Sequence, residues 1–230
     1  MKTKKVLLSA LLSFIGLFMI SSVQAQTLPA GANAIFCKGA PVSITAAADP
    51  NATAYIWKRY DGKDLTGTST TLTGTGATLS DTAPTTPGFY TYVSTAVNAG
   101  GCESAPSDPK TIYVLPGITA AVTSTYANNN VICAGQANAG ALTAVAGNVE
   151  SGAETFASTD YSYQWNKDGS PIAGAIASTY TLSTVDMATP GTFNYTVTIT
   201  YKDKGCTPAT SSNLTVKVAA LAGKPVITIN

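Results

Sequence analysis

The chain has 230 residues, with 13 Lys and Arg against 12 Asp and Glu, no His at all, and charged residues making up only 11% of the total. So little charge of either sign argues against nucleic acid or an anionic membrane as a partner, because both demand a concentrated basic field. The absence of His removes the usual general base of Ser and Cys hydrolases and the commonest zinc ligand.

Lys2, Lys4 and Lys5 precede an apolar run from Val6 to Ile20, and Ser21-Ser22-Val23-Gln24-Ala25 follows. This is the composition of a secretory signal peptide with cleavage after Ala25, over residues 1–25. Fifteen apolar positions fall short of the roughly 20 a membrane span needs. Without the three leader lysines, 10 basic residues face 12 acidic ones, a net of −2 for an exported chain of about 205 residues.

Next come strand signals: Val42-Ser43-Ile44-Thr45-Ala46, Tyr55-Ile56-Trp57, Thr78-Leu79-Ser80 and Thr111-Ile112-Tyr113-Val114. The segment after Pro87-Gly88 is ambiguous. Counted forward from Pro-Gly, Tyr90 and Tyr92 face inward; counted back from Cys102, the inward set is Phe89, Val93 and Val97. A one-residue slip exchanges the faces of a strand, so a β-bulge is expected near Tyr92-Val93. The rival is an exposed apolar stripe of Phe89, Val93 and Val97.

Leu115-Pro116-Gly117-Ile118 is too short for a flexible tether, so two units should sit end to end with limited bending. Beyond it, Ala141 to Val145 alternates as a strand, and Tyr161, Tyr163 and Trp165 share one face of another. Asp168-Gly169 supplies a tight hairpin turn. Thr179-Tyr180-Thr181-Leu182 follows, then the clearest strand, with Phe193, Tyr195, Val197, Ile199 and Tyr201 on one side and Asn and Thr on the other. Leu214 to Val218 returns as the last. No helical period is sustained, so the fold class is all-β. Residues 221–230 read as a C-terminal strand or the start of a further module, because Val226-Ile227-Thr228-Ile229 follows a linker-like stretch; such a strand invites self-association by edge pairing.

The two parts spell one pattern. Cys37, Trp57, Asp61-Gly62, Pro87-Gly88-Phe89-Tyr90 and Gly101-Cys102 are echoed by Cys133, Trp165, Asp168-Gly169, Pro190-Gly191 with Phe193, and Gly205-Cys206. This predicts tandem modules over 26–115 and 116–220, each large enough to bury its own core. Four Cys in an exported chain imply two disulfides, with three possible connectivities. The repeat makes Cys37 with Cys102 and Cys133 with Cys206 the simplest, each closing a long loop and adding about 4 kcal/mol. Free thiols or a metal site are the alternative, but neither pair has C-x-x-C spacing, and no metal or other cofactor is expected. Trp57 and Trp165 are expected to pack in the cores rather than stack on sugars.

Trp165-Asn166-Lys167-Asp168-Gly169-Ser170-Pro171-Ile172-Ala173-Gly174-Ala175, continuing to Thr179-Tyr180-Thr181, resembles a bacterial immunoglobulin-like domain. Ile132-Cys133-Ala134-Gly135 and the stretch from Pro190 to Gly205-Cys206 are similar to Ig-like and PKD-like repeats of exported Bacteroidetes proteins. The resemblance implies two tandem antiparallel β-sandwiches after a cleaved signal peptide, in a family made up mostly of spacers, adhesin segments and accessory modules. In antibody-type domains the two Cys lie mid-strand beside the core Trp; here Cys102 and Cys206 follow a Gly at a turn, so a bridge should pin an edge or a loop. Asp81-Thr82-Ala83 resembles the O-glycosylation motif of the same group.

Paired carboxylates could still cleave glycosides, but Asp61, Asp64, Asp81, Glu103, Asp108, Asp168, Asp186 and Asp203 lie mostly beside turns. Asp61-Gly62-Lys63-Asp64 reads as a turn rather than a calcium loop. No catalytic residue is therefore expected. The expected function is a non-catalytic, secreted or cell-surface component, structural or adhesive, with a protein or glycan partner. The alternative is a carbohydrate-binding accessory module using Tyr60, Tyr126 or Tyr161 as exposed stacking platforms.

Overall fold

A computed structural model describes residues 28–72, 76–82, 84–136, 140–150, 153–202 and 204–229. The leader segment lies outside them. Among the described residues no helix is long and apolar enough to cross a membrane.

Among the described residues, seven strands form the N-terminal half: β1 (Ala34–Cys37), β2 (Val42–Thr45), β3 (Ala52–Asp61), β4 (Ser69–Leu72), β5 (Thr78–Asp81), β6 (Gly88–Asn98) and β7 (Lys110–Leu115). Nine form the C-terminal half: β8 (Ile118–Ser124), β9 (Val131–Cys133), β10 (Leu142–Asn148), β11 (Tyr161–Lys167), β12 (Ser170–Pro171), β13 (Thr179–Tyr180), β14 (Gly191–Tyr201), β15 (Ala209–Thr210) and β16 (Leu214–Ala219). The chain is thus all-β, in two stacked-sheet halves. The first sets a sheet of order β1-β7-β6-β3-β4 against the pair β2-β5; the second sets β13-β10-β8 against β12-β11-β14-β16-β9, with β15 also on β14.

Period-two patterning explains why these segments are strands. In β14 Tyr195, Val197, Ile199 and Tyr201 are buried while the Thr residues between them are only partly covered. In β11 Tyr161, Tyr163 and Trp165 turn inward and Ser162 outward. Asp168 and Gly169 both take positive φ, 48° and 81°, and close the β11–β12 hairpin; this is the backbone that a two-residue turn of Asp-Gly provides.

The ladders are antiparallel except for two. β1 runs parallel to β7, and β9 runs parallel to β16. In each half the first of these is an edge strand laid beside the last strand, so the chain enters a sandwich at one pole and leaves it at the other.

Each core is centred on a tryptophan held by the same device. Trp57 is 2% exposed, stands opposite Ser94, and donates its Nε1–H to the Gly76 carbonyl at 3.1 Å. Trp165 is fully buried, stands opposite Val197, and donates to the Ala177 carbonyl at 2.9 Å. A buried indole N–H without a partner costs about 1–3 kcal/mol, so these bonds fix the ring in its slot. Serine holds the neighbouring strand in both halves. Ser107 Oγ accepts the Ser94 N–H and Ser211 Oγ accepts the Val197 N–H, at 3.1 and 3.0 Å.

The bulge expected near Tyr92-Val93 is absent, and β3 pairs with β6 without interruption from Ala54–Val97 to Asp61–Tyr90. The register shifts instead at Ala52/Ala54. Tyr90 and Tyr92 face the core with Trp57, while Phe89, Val93 and Val97 lie on the other face. Phe89 and Val93 are nonetheless covered, Phe89 by the C-terminal half. The two counts conflicted because this strand buries both faces over part of its length. The exposed apolar stripe is not there either.

A buried ion pair ties the two sheets of the N-terminal half together. Arg59 donates to Asp81 at 2.8 Å, Tyr92 donates its hydroxyl to the same oxygen at 2.9 Å, and the guanidinium lies 5.5 Å from the Tyr90 ring centre. Burial acts to lower the Arg59 pKa, and the Asp81 hydrogen bond and charge outweigh it, leaving it raised. The guanidinium therefore stays charged.

Candidate functional site

The most built-up region outside the two cores is the seam between the halves. Leu115 ends β7, Pro116 and Gly117 make the crossing, and Ile118 opens β8. Leu115 and Ile118 are both buried, in one apolar cluster with Ile35, Tyr113 and the core of the C-terminal half. Gly117 sits close under the Val149 side chain, which a Cβ there would meet at 3.1 Å. Its carbonyl accepts the Val149 N–H at 2.9 Å and its own N–H reaches Glu150 Oε2 at 2.8 Å.

Aromatic rings carry the packing across the seam. Phe89 meets Tyr113 edge-on with centroids 4.7 Å apart, Tyr113 lies 6.1 Å from Phe156, Phe156 meets Tyr201 edge-on at 5.5 Å, and Tyr201 stacks on Tyr161 at 5.3 Å. Each such pair adds roughly 0.5–1.5 kcal/mol beyond area burial. The Tyr201 hydroxyl donates to the Pro116 carbonyl at 3.2 Å, and the Tyr113 hydroxyl accepts the Glu154 N–H at 2.9 Å. Burial raises the pKa of both phenols.

Charge closes the rim. Lys38 pairs with Glu150, and Lys63 stands 3.7 Å from Glu154 and 4.0 Å from the centre of the Phe89 ring. The hydrogen bond from Lys38 holds the Glu150 carboxyl below its ordinary range, with the Gly117 N–H adding to it. Glu150 and Glu154, which the sequence places together in one loop, thus each reach a lysine of the other half.

A covalent bond completes the seam. Cys37, the last residue of β1, is joined to Cys206 in the loop after β14, with Cα atoms 5.3 Å apart and a sequence separation of 169. This corrects the pairing expected from the repeat. Cys102 and Cys133 are free and exposed. The physical reason lies in the end-to-end arrangement: the pole where β1 ends abuts the pole where the β14 loop turns, whereas Cys37 and Cys102 belong to different ends of their own sandwich. A cleft of about 370 Å³ flanks the bond, lined by Lys38, Thr85, Pro116, Tyr201 and Thr207 among others.

The remaining sequence candidates do not converge on chemistry. Tyr126 and Tyr161 are 6% and 7% exposed and Tyr60 is half-buried, so two of the three proposed sugar platforms are core residues. The Tyr126 hydroxyl oxygen accepts the Leu182 N–H at 3.0 Å. Asp64 accepts the Thr66 N–H and hydroxyl at 2.9 and 2.6 Å, which makes Asp61-Gly62-Lys63-Asp64 a self-bonded turn. Asp186 accepts from Tyr180, Ser183 and Lys167. Asp81 of Asp81-Thr82-Ala83 is buried on Arg59, and Ala83 lies outside the described residues. Among the described residues no three His, Cys, Asp or Glu side chains gather as a metal site would require.

No family model and no curated protein matches the chain. Among solved structures it is similar to the crystal structure of the FN1–FN3 domains of chicken CNTN1, at 12% identity and a TM-score of 0.37, over 84% of this chain and 65% of that one. The chain therefore spans just under two thirds of that neighbour's length. A likeness of that degree leaves function to be read from the geometry.

Proposed function

We infer that the protein is a non-catalytic exported spacer, a structural or adhesive component at the cell surface or in a secreted assembly, whose two modules act as one rigid body. The observation that carries this reading is the seam: two immunoglobulin-like sandwiches share a continuous apolar cluster and are bolted by Cys37–Cys206. Modules meant to flex on a linker lack such a seam, since interfaces within a chain are by default mobile unless large and apolar. The boundaries that go with this reading are 26–115 and 116–220. Export is supported by the leader composition and by a disulfide, which persists in oxidising compartments. The carbohydrate-binding alternative is weakened because Tyr126 and Tyr161 are committed to cores.

Small-angle X-ray scattering on the oxidised protein tests the reading. One fixed outline, unchanged between low and high salt, is expected; a broad ensemble of inter-module angles would overturn it.

A further inference from the structure

The smaller sheets of the two sandwiches differ by one strand. In the C-terminal half β10 is flanked on both sides, by β13 and by β8, whereas in the N-terminal half β2 has β5 on one side only. The two strands hold the same place: Ala46 donates its N–H to the Ala77 carbonyl, and Ala144 donates to the Ser178 carbonyl, both at 2.8 Å. Antiparallel alternation then turns the backbone groups of Ser43 and Thr45 to the open edge. Beside that edge runs a groove of about 360 Å³, whose apolar wall includes Ile44, Ala46, Tyr55, Trp57 and Ala96. Ser94 and Ala96 stand there where the C-terminal half has Val197 and Ile199, both fully buried. Among the described residues the N-terminal half thus lacks a strand beside β2 and has room for one.

The chain also carries an exposed apolar segment that joins no sheet among the described residues. Val226, Ile227 and Ile229 are 86%, 89% and 97% exposed and belong to no ladder. Pro225-Val226-Ile227-Thr228-Ile229 matches Pro116-Gly117-Ile118-Thr119-Ala120, the start of β8, in which Ile118 and Ala120 face the core. Ile227 and Ile229 fall on one face by the same alternation. Ile227 matches Ile118 in size and Ile229 is larger than Ala120, which suits the smaller lining of the groove. Six residues, 220–225, separate this segment from β16, a reach of about 20 Å.

We propose that copies of this chain assemble head to tail, residues 226–229 of one copy entering the groove just past the C-terminal end of β2 in the next, and Cys133 of the first bonding to Cys102 of the second. The cysteine pairing follows from the seam already present. There the Cys ending the first strand of one sandwich, Cys37, meets the Gly-Cys loop of the following one, Cys206. In the same positions of the repeat, Cys133 ends β9, the strand beside β16, and Cys102 sits in the loop after β6. They are the two cysteines left free and exposed. A second copy stacked as the two halves are stacked would bring them together. This rests on the spacer reading, and extends it from a rigid unit to a rigid array.

The covalent step needs an oxidant, taken here as a disulfide such as oxidised glutathione. The Cys133 thiolate attacks one glutathione sulfur, forming a mixed disulfide and expelling a glutathione thiolate. The Cys102 thiolate of the next copy attacks Cys133 Sγ and expels the second, and the two protons lost by the protein thiols end on the two glutathiones.

The test uses Cys102→Ser and Cys133→Ser, incubated alone and mixed in a glutathione redox buffer, with wild type alongside, and read on non-reducing gels with peptide mapping. Wild type should give a ladder, each variant alone should stay monomeric, and the mixture should give dimers joined Cys133 to Cys102. Adventitious oxidation of exposed thiols would instead dimerise each variant alone, and that result overturns the proposal. Ile227→Asp with Ile229→Asp should lower ladder yield by about tenfold or more while the melting temperature holds; an undiminished ladder overturns the strand contact. Wild type that stays monomeric yet scatters as one fixed body sinks the assembly alone, whereas two independently moving lobes would sink the spacer reading.

Discussion

Removing Cys37–Cys206 by Cys37→Ser with Cys206→Ser is the most direct probe of the seam. The bond closes 169 residues, and the loss of loop entropy from the unfolded chain over that length is worth about 5 kcal/mol. This figure applies when the two halves unfold together. The shared cluster of Ile35, Tyr113, Leu115, Ile118 and the C-terminal core indicates that they do. For a chain of this size each kcal/mol moves the midpoint by about 2–4 °C, so the double variant should melt roughly 10–20 °C lower than the oxidised parent. Scanning calorimetry makes the measurement, with Cys102→Ser as the control. Cys102 is exposed and free, so that control should stay within about 0.5 kcal/mol of the parent. A double variant that melts within about 3 °C of the parent would refute the reasoning, as would a Cys102→Ser protein that loses as much. The second result would restore the pairing within each sandwich. A melt that splits into two separated transitions would show that the bond lends most of the coupling and the apolar seam little.

Trp165→Ala should destabilise the protein by about 3–5 kcal/mol, because a fully buried ring is deleted and the Ala177 carbonyl loses its donor; urea unfolding measures it, and a loss under about 1 kcal/mol would place the ring outside the core. Acid should weaken the fold through Asp186. Burial acts to raise the pKa of that carboxyl, but hydrogen bonds from Tyr180, Ser183 and Lys167 outweigh it and leave it lowered. A folded pKa below the unfolded value near 3.9 means that the stabilisation is complete above that value and lost as pH falls through the folded one. Stability measured by urea should therefore stay level on this account from neutral pH to about pH 5 and fall below about pH 4. Asp186→Asn should flatten part of that fall, and an unchanged slope would refute the role.

The fold was legible where one face of a strand meets water. β14 could be read because Phe193, Tyr195, Val197, Ile199 and Tyr201 alternate with Asn and Thr, and β11 because its aromatic residues do the same. β6 was misread for the opposite reason. Its outer face is covered at Phe89 by the second sandwich and Val93 is buried as well, so both are apolar without belonging to the core of their own half. Short edge strands left little trace. β1 and β9 are four and three residues long, and nothing in Ala34–Cys37 says that it lies parallel to a strand some eighty residues away. The cysteine pairing failed because the repeat supplies equivalence, and equivalence does not say which poles abut. Once the end-to-end stacking is known, Cys37 and Cys206 are neighbours and Cys37 and Cys102 are not. The platforms suggested for sugar failed similarly: Tyr126 and Tyr161 stand in sequence among polar residues, but one caps the core and the other stacks under Tyr201.

The parallel strand pairs and the long disulfide together determine what tension does to this molecule. A pull applied at the two ends enters through β1, crosses Cys37–Cys206 and departs through β16, so the 168 residues between the two cysteines are bypassed. Some 600 Å of slack is thereby withheld, at about 3.4 Å for each extended residue. β7 and β9, the parallel neighbours of β1 and β16, both lie inside that bypassed span, so the pull runs beside those ladders and not through them. Such a tether stays short when it is stretched.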